Sequence, residues 1–166
     1  MVDHASFQTE LGRVSLSWTP QGICGLRFLG AAADRPEESS SAPMWVLDAM
    51  RRIMAHLRGD PQTLESVPVD LSGLTPFQRQ VAEVLRSTRP GDRLSYGEIA
   101  LLCGKPGAAR AVGRAVACNP ILLLVPCHRV VSASGEGGWS AFGSLERLRQ
   151  IRALEPHTGE DGSTST

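Results

Sequence analysis

The sequence predicts a small α/β unit over residues 1–72, followed by a mainly α-helical unit over residues 73–156 that contains a helix-turn-helix. Three observations carry this expectation. Apolar residues alternate on either side of a Thr19-Pro20-Gln21-Gly22 turn, the pattern of a hairpin. Beyond residue 74 the apolar period becomes helical, and two capping-box strings open successive helices. A short apolar run at residues 121–125 then leads the chain into Pro126-Cys127-His128-Arg129.

The elements follow in order. Val14, Leu16 and Trp18 alternate before the turn, and Cys24, Leu26 and Phe28 after it. Residues 30–43 are rich in Ala, Ser, Pro and acid and read as an exposed loop. Val46, Leu47, Met50, Ile53, Met54 and Leu57 recur at helical spacing. Val67, Val69 and Leu71 alternate and predict one more strand.

In the second unit, Thr75-Pro76-Phe77-Gln78 has a capping Thr, a Pro suited to the first turn and a Gln that can reach back. Ser95-Tyr96-Gly97-Glu98 repeats the device. The turn Gly104-Lys105-Pro106-Gly107 separates that short helix from one over residues 108–118, dense in small side chains. Such a pair is either a helix-turn-helix or an ordinary helical corner. Leu145, Leu148, Ile151 and Leu154 mark a last helix. Residues 157–166 are polar and are expected to form a disordered tail.

Bulk properties narrow the function. The 166 residues are 42% apolar and 20% charged, which suits a globular fold. No apolar run approaches the roughly 20 residues of a membrane helix. The polar start MVDHASFQTE carries no secretory pattern, so a soluble, cytoplasmic protein is expected. Cys24, Cys103, Cys118 and Cys127 include no Cys-x-x-Cys pair, which argues against a zinc ribbon or a thioredoxin-type motif. Net charge is zero, yet residues 75–130 hold eight cations against three anions between acidic flanks. A basic middle suits an anionic partner, although a solvated surface would give the same count.

Cys127 is the residue that asks for chemistry. A cysteine attacks as thiolate, and a neighbouring cation or His favours that form. His128 can take the proton, and a carboxylate can hold the imidazole in the useful tautomer. Glu155 at the end of the last helix is the candidate, with Glu146 near its start as the alternative. Read from the residues alone, this is an activated cysteine or a structural one.

The strings VPCHRVV at residues 125–131, SYGEIA at 95–100, AARAVG at 108–113 and Asn119-Pro120 closely resemble the O6-alkylguanine-DNA alkyltransferase family, also called methylated-DNA–protein-cysteine methyltransferases. TPFQRQV at residues 75–81 fits the start of that family's domain, and residues 11–28 look like its N-terminal hairpin. The resemblance implies a ribonuclease-H-like first domain and a winged-helix-like second one. It implies direct-reversal repair, in which an alkyl group on O6 of guanine, or O4 of thymine, moves irreversibly to Cys127, once per molecule. The partner implied is double-stranded DNA with alkylated bases, bound by a monomer with no obligate protein partner, no cofactor and no metal.

By the same resemblance, Arg110 fills the gap left when the nucleotide leaves the stack, and Tyr96 crowds the 3′ phosphate and donates to the purine. Ser95, Ala108, Ala109 and Arg114 belong to the DNA-facing surface, with the helix at Ala108 entering the minor groove. His128 acts through a water, Glu155 orients it and Asn119 braces the thiol. Val130, Ser134, Trp139 and Ser140 line the substrate pocket.

The chain departs from the family pattern in places. Trp139 stands where Tyr or Phe is usual, Ala82 where Trp is common, and the last helix lacks the usual Lys. His4 and Cys24 hint at the zinc site some members carry, but no spacing completes four ligands. Three other functions fit parts of the pattern. A non-catalytic lesion sensor lacks the cysteine. A transcription regulator needs base-reading side chains, which the small third helix scarcely offers. A cysteine hydrolase would turn over repeatedly.

Overall fold

The computed structural model describes residues 1–30, 41–133, 135 and 139–156, with the side chains of Trp139 and Ser140 excepted. Most of the expected loop at 30–43, the whole expected tail at 157–166, and Ser134 therefore lie outside the described residues.

Three antiparallel strands, β1 (Asp3–Thr9), β2 (Gly12–Thr19) and β3 (Gly22–Phe28), form a sheet in sequential order. The expected hairpin is β2–β3, with Val14, Leu16 and Trp18 buried on one face. β1 lies in the segment that reads as polar, and its Ala5, Phe7 and Thr9 are buried. Helix α1 (Met44–Leu57) buries Val46, Ala49, Ile53 and Leu57 and packs against β1.

The strand expected at Val67, Val69 and Leu71 does not form. A 3-10 turn occupies Leu64–Ser66, and beyond it Val69 makes a single parallel bridge to Ile23. The reason is local chemistry. Pro68 has no N–H to give; its carbonyl accepts from Ile23, and the N–H of Asp70 donates to the Ile23 carbonyl. The chain then turns, with Leu74 N–H on the Leu71 carbonyl. Gly22 permits this approach: a Cβ there would stand 2.7 Å from the Val69 carbonyl carbon.

Helix α2 (Pro76–Arg86) and helix α3 (Tyr96–Leu102) both begin with complete capping boxes, Thr75 with Gln78 and Ser95 with Glu98. Helix α4 (Ala109–Ala117) packs on α3 across the glycine-bearing turn, and α2 packs on both. A parallel pair of two-residue strands, β4 (Leu94–Ser95) and β5 (Val130–Val131), ties the start of α3 to the segment after Cys127. Helix α5 (Leu145–Ala153) closes the described chain.

One buried apolar cluster draws on the sheet and on all five helices. Leu26 joins the sheet to the residue 121–125 run: its N–H donates to the Pro120 carbonyl, and its own carbonyl accepts from Leu122. That run is buried throughout, and Leu123 within it adopts a left-handed backbone, φ 67°. The N-terminal sheet thereby anchors the buried turn that leads to Cys127.

Candidate active site

Cys127 opens a 3-10 turn, Cys127–Arg129, set between the buried run and β5. It is fully buried. Burial pushes the thiol up to about 11, and a hydrogen bond from the Asn119 side chain and the charge of Arg152 act the other way. The neighbouring cations and His lead the sequence to suggest a lowered pKa; the packed site raises it instead, and at neutral pH the resting group is a thiol. The physical reason is desolvation, which outweighs the local charges.

Asn119 sits at the bend after α4. Its Nδ2 donates to the Val125 carbonyl at 3.0 Å, and its Oδ1 accepts from the Ile121 N–H at 3.0 Å. It therefore pins both ends of the apolar run that delivers Cys127.

His128 and Glu155 meet away from solvent. Nε2 of the imidazole lies 2.7 Å from Oε1 of the carboxylate, and each side chain is 2% exposed. Glu146, the alternative acid, is exposed in the first turn of α5. Burial alone would raise the Glu155 carboxyl. Hydrogen bonds from His128, Arg129 and the Gly91 N–H overcome it and hold the carboxyl far below the usual carboxylate range. Burial lowers the His128 pKa, against the pull of Glu155. A neutral imidazole facing an ionised carboxylate must carry its proton on Nε2. Nδ1 is then a lone pair, and it makes no hydrogen bond to any described residue. The edge of the Phe142 ring system packs near the imidazole at 6.3 Å between centroids.

Arg129 is not a partner of the cysteine. Its Nη2 donates to Glu155 Oε1 at 2.8 Å and its Nη1 to the carbonyl and hydroxyl of Thr88. Arg152, which the sequence reading passed over, is the cation that acts on Cys127. The one available signal was its place three residues before Glu155, at the end of the last helix.

The expected DNA-facing residues lie on α3 and α4, and the expected pocket residues follow in β5 and beyond. Tyr96 is half-buried at the first position of α3, where the carbons of its ring lie against Gly113 of α4. Ser95 spends its hydroxyl capping α3, accepting from the Glu98 N–H. Ala108 and Ala109 start α4 without a side-chain cap, and Arg110 and Arg114 are exposed on it. Val130 is buried in β5. Trp139 and Ser140 begin a 3-10 turn, Trp139–Phe142. Among the described residues no group of three or more His, Cys, Asp or Glu side chains could hold a metal ion, and no helix is long and apolar enough to cross a membrane.

The sequence profile of the family described as 6-O-methylguanine DNA methyltransferase, DNA binding domain, matches residues 76–156. The methylated-DNA–protein-cysteine methyltransferase of Mycolicibacterium paratuberculosis is 34% identical, covering 93% of each chain. The human protein of that name is 37% identical, over 92% of this chain and 79% of its own. A crystal structure of Mycobacterium tuberculosis O6-methylguanine methyltransferase superposes with a TM-score of 0.71 at 31% identity, covering 94% of this chain and 96% of that one. A structure of the Mycobacterium tuberculosis OGT in complex with DNA gives 0.70 at 33% identity, covering 91% of each.

Proposed function

This chain belongs to the methylated-DNA–protein-cysteine methyltransferase family, and on that premise we propose that Cys127 is the residue that takes the alkyl group. The activity is direct-reversal DNA repair: an alkyl group leaves a DNA base and stays on a cysteine of the protein. The observation that carries the assignment is the His128–Glu155 pair at 2.7 Å beside a fully buried Cys127.

The Cys127 S–H proton passes through a water to the Nδ1 lone pair of His128, and Glu155 stabilises the imidazolium. The sulfur attacks the alkyl carbon of O6-alkylguanine in line. An S–C bond forms, the C–O6 bond breaks, and its electron pair goes to the purine. The Tyr96 hydroxyl donates to the purine as that charge develops. The product is a thioether, which water does not reverse, so each molecule acts once. The high thiol pKa suits this order: the sulfur stays protonated until the base is seated and His128 can receive the proton.

Residues 1–72 then form the ribonuclease-H-like domain and residues 73–156 the winged-helix-like one. The α3–α4 pair meets duplex DNA through Ser95, Ala108, Ala109 and Arg114. Arg110 fills the stack vacated by the flipped nucleotide. Val130, Ser134, Trp139 and Ser140 line the substrate pocket, where backbone groups near Val130 and Ser140 hold the base edge. A minor-groove approach by small residues reads little sequence, which suits a protein that must find lesions anywhere. The protein works as a monomer in the cytoplasm and uses no cofactor.

The test is intact mass after incubation with a duplex carrying one O6-methylguanine. The expected result is a gain of about one CH₂, mapped to the Cys127 peptide and limited to one per chain. A methyl group mapped to another cysteine would overturn the assignment, and lesion binding without any adduct would point to a sensor.

A further inference from the structure

Arg152 takes no proton and touches no substrate in that chemistry, yet two short hydrogen bonds tie it to the segment that carries Cys127. Its Nε donates to the His128 carbonyl at 2.7 Å and its Nη2 to the Val130 carbonyl at 2.7 Å. Those carbonyls belong to the residue that follows Cys127 and to the first residue of β5. One planar guanidinium therefore joins α5 to the turn that carries Cys127 by two charge-assisted hydrogen bonds. The side chain is held at two of its three nitrogens, so its charge has a fixed place relative to the sulfur. That charge lowers the Cys127 pKa against the larger effect of burial. Arg129, although nearer in sequence, is turned to Glu155 and Thr88.

We propose that Arg152 is a positioning residue for alkyl transfer: it fixes the Cys127 turn through the His128 and Val130 carbonyls and supplies the positive potential in which the Cys127 thiolate forms. The proposal rests on Cys127 as the alkyl acceptor. No bond to Arg152 forms or breaks. As the S–H proton leaves for His128, the guanidinium favours the charge left on sulfur, and that demand ends when the neutral thioether is made. A lysine at this position would keep the charge but not the planar fork that meets two carbonyls at once.

Two variants separate the two roles. Arg152→Gln removes the charge and keeps a donor; Arg152→Lys keeps the charge and loses the fork. Alkylation of Cys127 by iodoacetamide is followed against pH in the intact chain, with peptide mapping to distinguish it from Cys24, Cys103 and Cys118. Arg152→Gln is expected to raise the thiol pKa by about one unit; the more basic sulfur partly compensates, leaving the rate roughly threefold lower at a fixed pH. Arg152→Lys is expected to keep the wild-type pH profile yet transfer methyl from an O6-methylguanine duplex about tenfold more slowly, the penalty of a misplaced reacting group. A Gln variant with the wild-type alkylation profile overturns the electrostatic role. A Lys variant that transfers methyl at the wild-type rate overturns the positioning role, whether or not the Gln variant folds. Iodoacetamide reads the thiol without DNA. Wild-type protein that is alkylated at Cys127 but takes no methyl from the duplex would therefore count against the repair assignment and not against Arg152.

Discussion

His128 Nε2 and Glu155 Oε1 lie 2.7 Å apart, and Glu155 also accepts from Arg129 and from the Gly91 N–H. One carboxylate thus sets the imidazole tautomer and neutralises a buried guanidinium. Removing it does more than delete a hydrogen bond. Glu155→Ala leaves Arg129, itself only 5% exposed, with the more distant and solvated Glu65 as its counter-charge and should cost about 3–5 kcal/mol of stability. Urea unfolding checks this. Glu155→Gln keeps the shape and should cost less, while slowing methyl transfer because the Nε2–H tautomer is no longer enforced.

The acid limb of stability follows from the same pair. The His128 pKa is lowered from 6.5 and that of Glu155 from 4.5, so the unfolded chain binds more protons than the folded one at both groups. Their contribution is complete above pH 6.5. It is lost as pH falls through that value and again below 4.5. Thermal melts from pH 8 downwards should therefore show a plateau and then a two-stage decline. A melting temperature that rises on going from pH 7 to pH 5 would contradict the sign.

Cys127→Ser should abolish the methyl adduct completely, because a hydroxyl in this pocket has no accessible anion. Asn119 still offers a partner to the new oxygen, so the loss of stability should be about 1 kcal/mol. Intact mass and a urea titration on the same sample report both quantities.

Arg110 is exposed near the start of α4, so Arg110→Ala should leave stability within about 0.5 kcal/mol. It should slow repair of duplex DNA about tenfold or more, while reaction with free O6-methylguanine base is barely changed. Single-turnover rates with the two substrates make the comparison. Equal losses on both would remove the stack-filling role.

Gly113 faces Tyr96 across the α3–α4 contact. A Cβ there would meet the ring at 3.8 Å, ordinary contact distance, so Gly113→Ala should stabilise the helix interior by up to about 1 kcal/mol. Gly113→Leu has no such room and should displace the Tyr96 ring, lowering methyl transfer more than stability. Denaturation and transfer rates for the pair of variants decide it.

Local chemistry made much of this protein legible from its sequence. Thr75 with Gln78 and Ser95 with Glu98 place the starts of α2 and α3, because a capping box satisfies orphan N–H groups within four residues. The alternation of Val14, Leu16 and Trp18 gives the β2 face directly, and Cys127 beside His128 marks the chemistry. Residues whose state depends on distant partners were not legible. Asp3–Thr9 became a strand because β2 offered an unpaired edge, and Val67–Leu71 failed to become one because Pro68 and the turn at Leu74 ended the ladder after a single bridge. The sequence favoured Glu155 over Glu146 as the partner of His128 but could not exclude the second; α5 packing put one inside and the other in water. The charge states were decided last. Neighbouring cations and a His suggest a lowered pKa at Cys127, but complete burial raises it, and burial is a property of the packed chain that no stretch of sequence carries by itself.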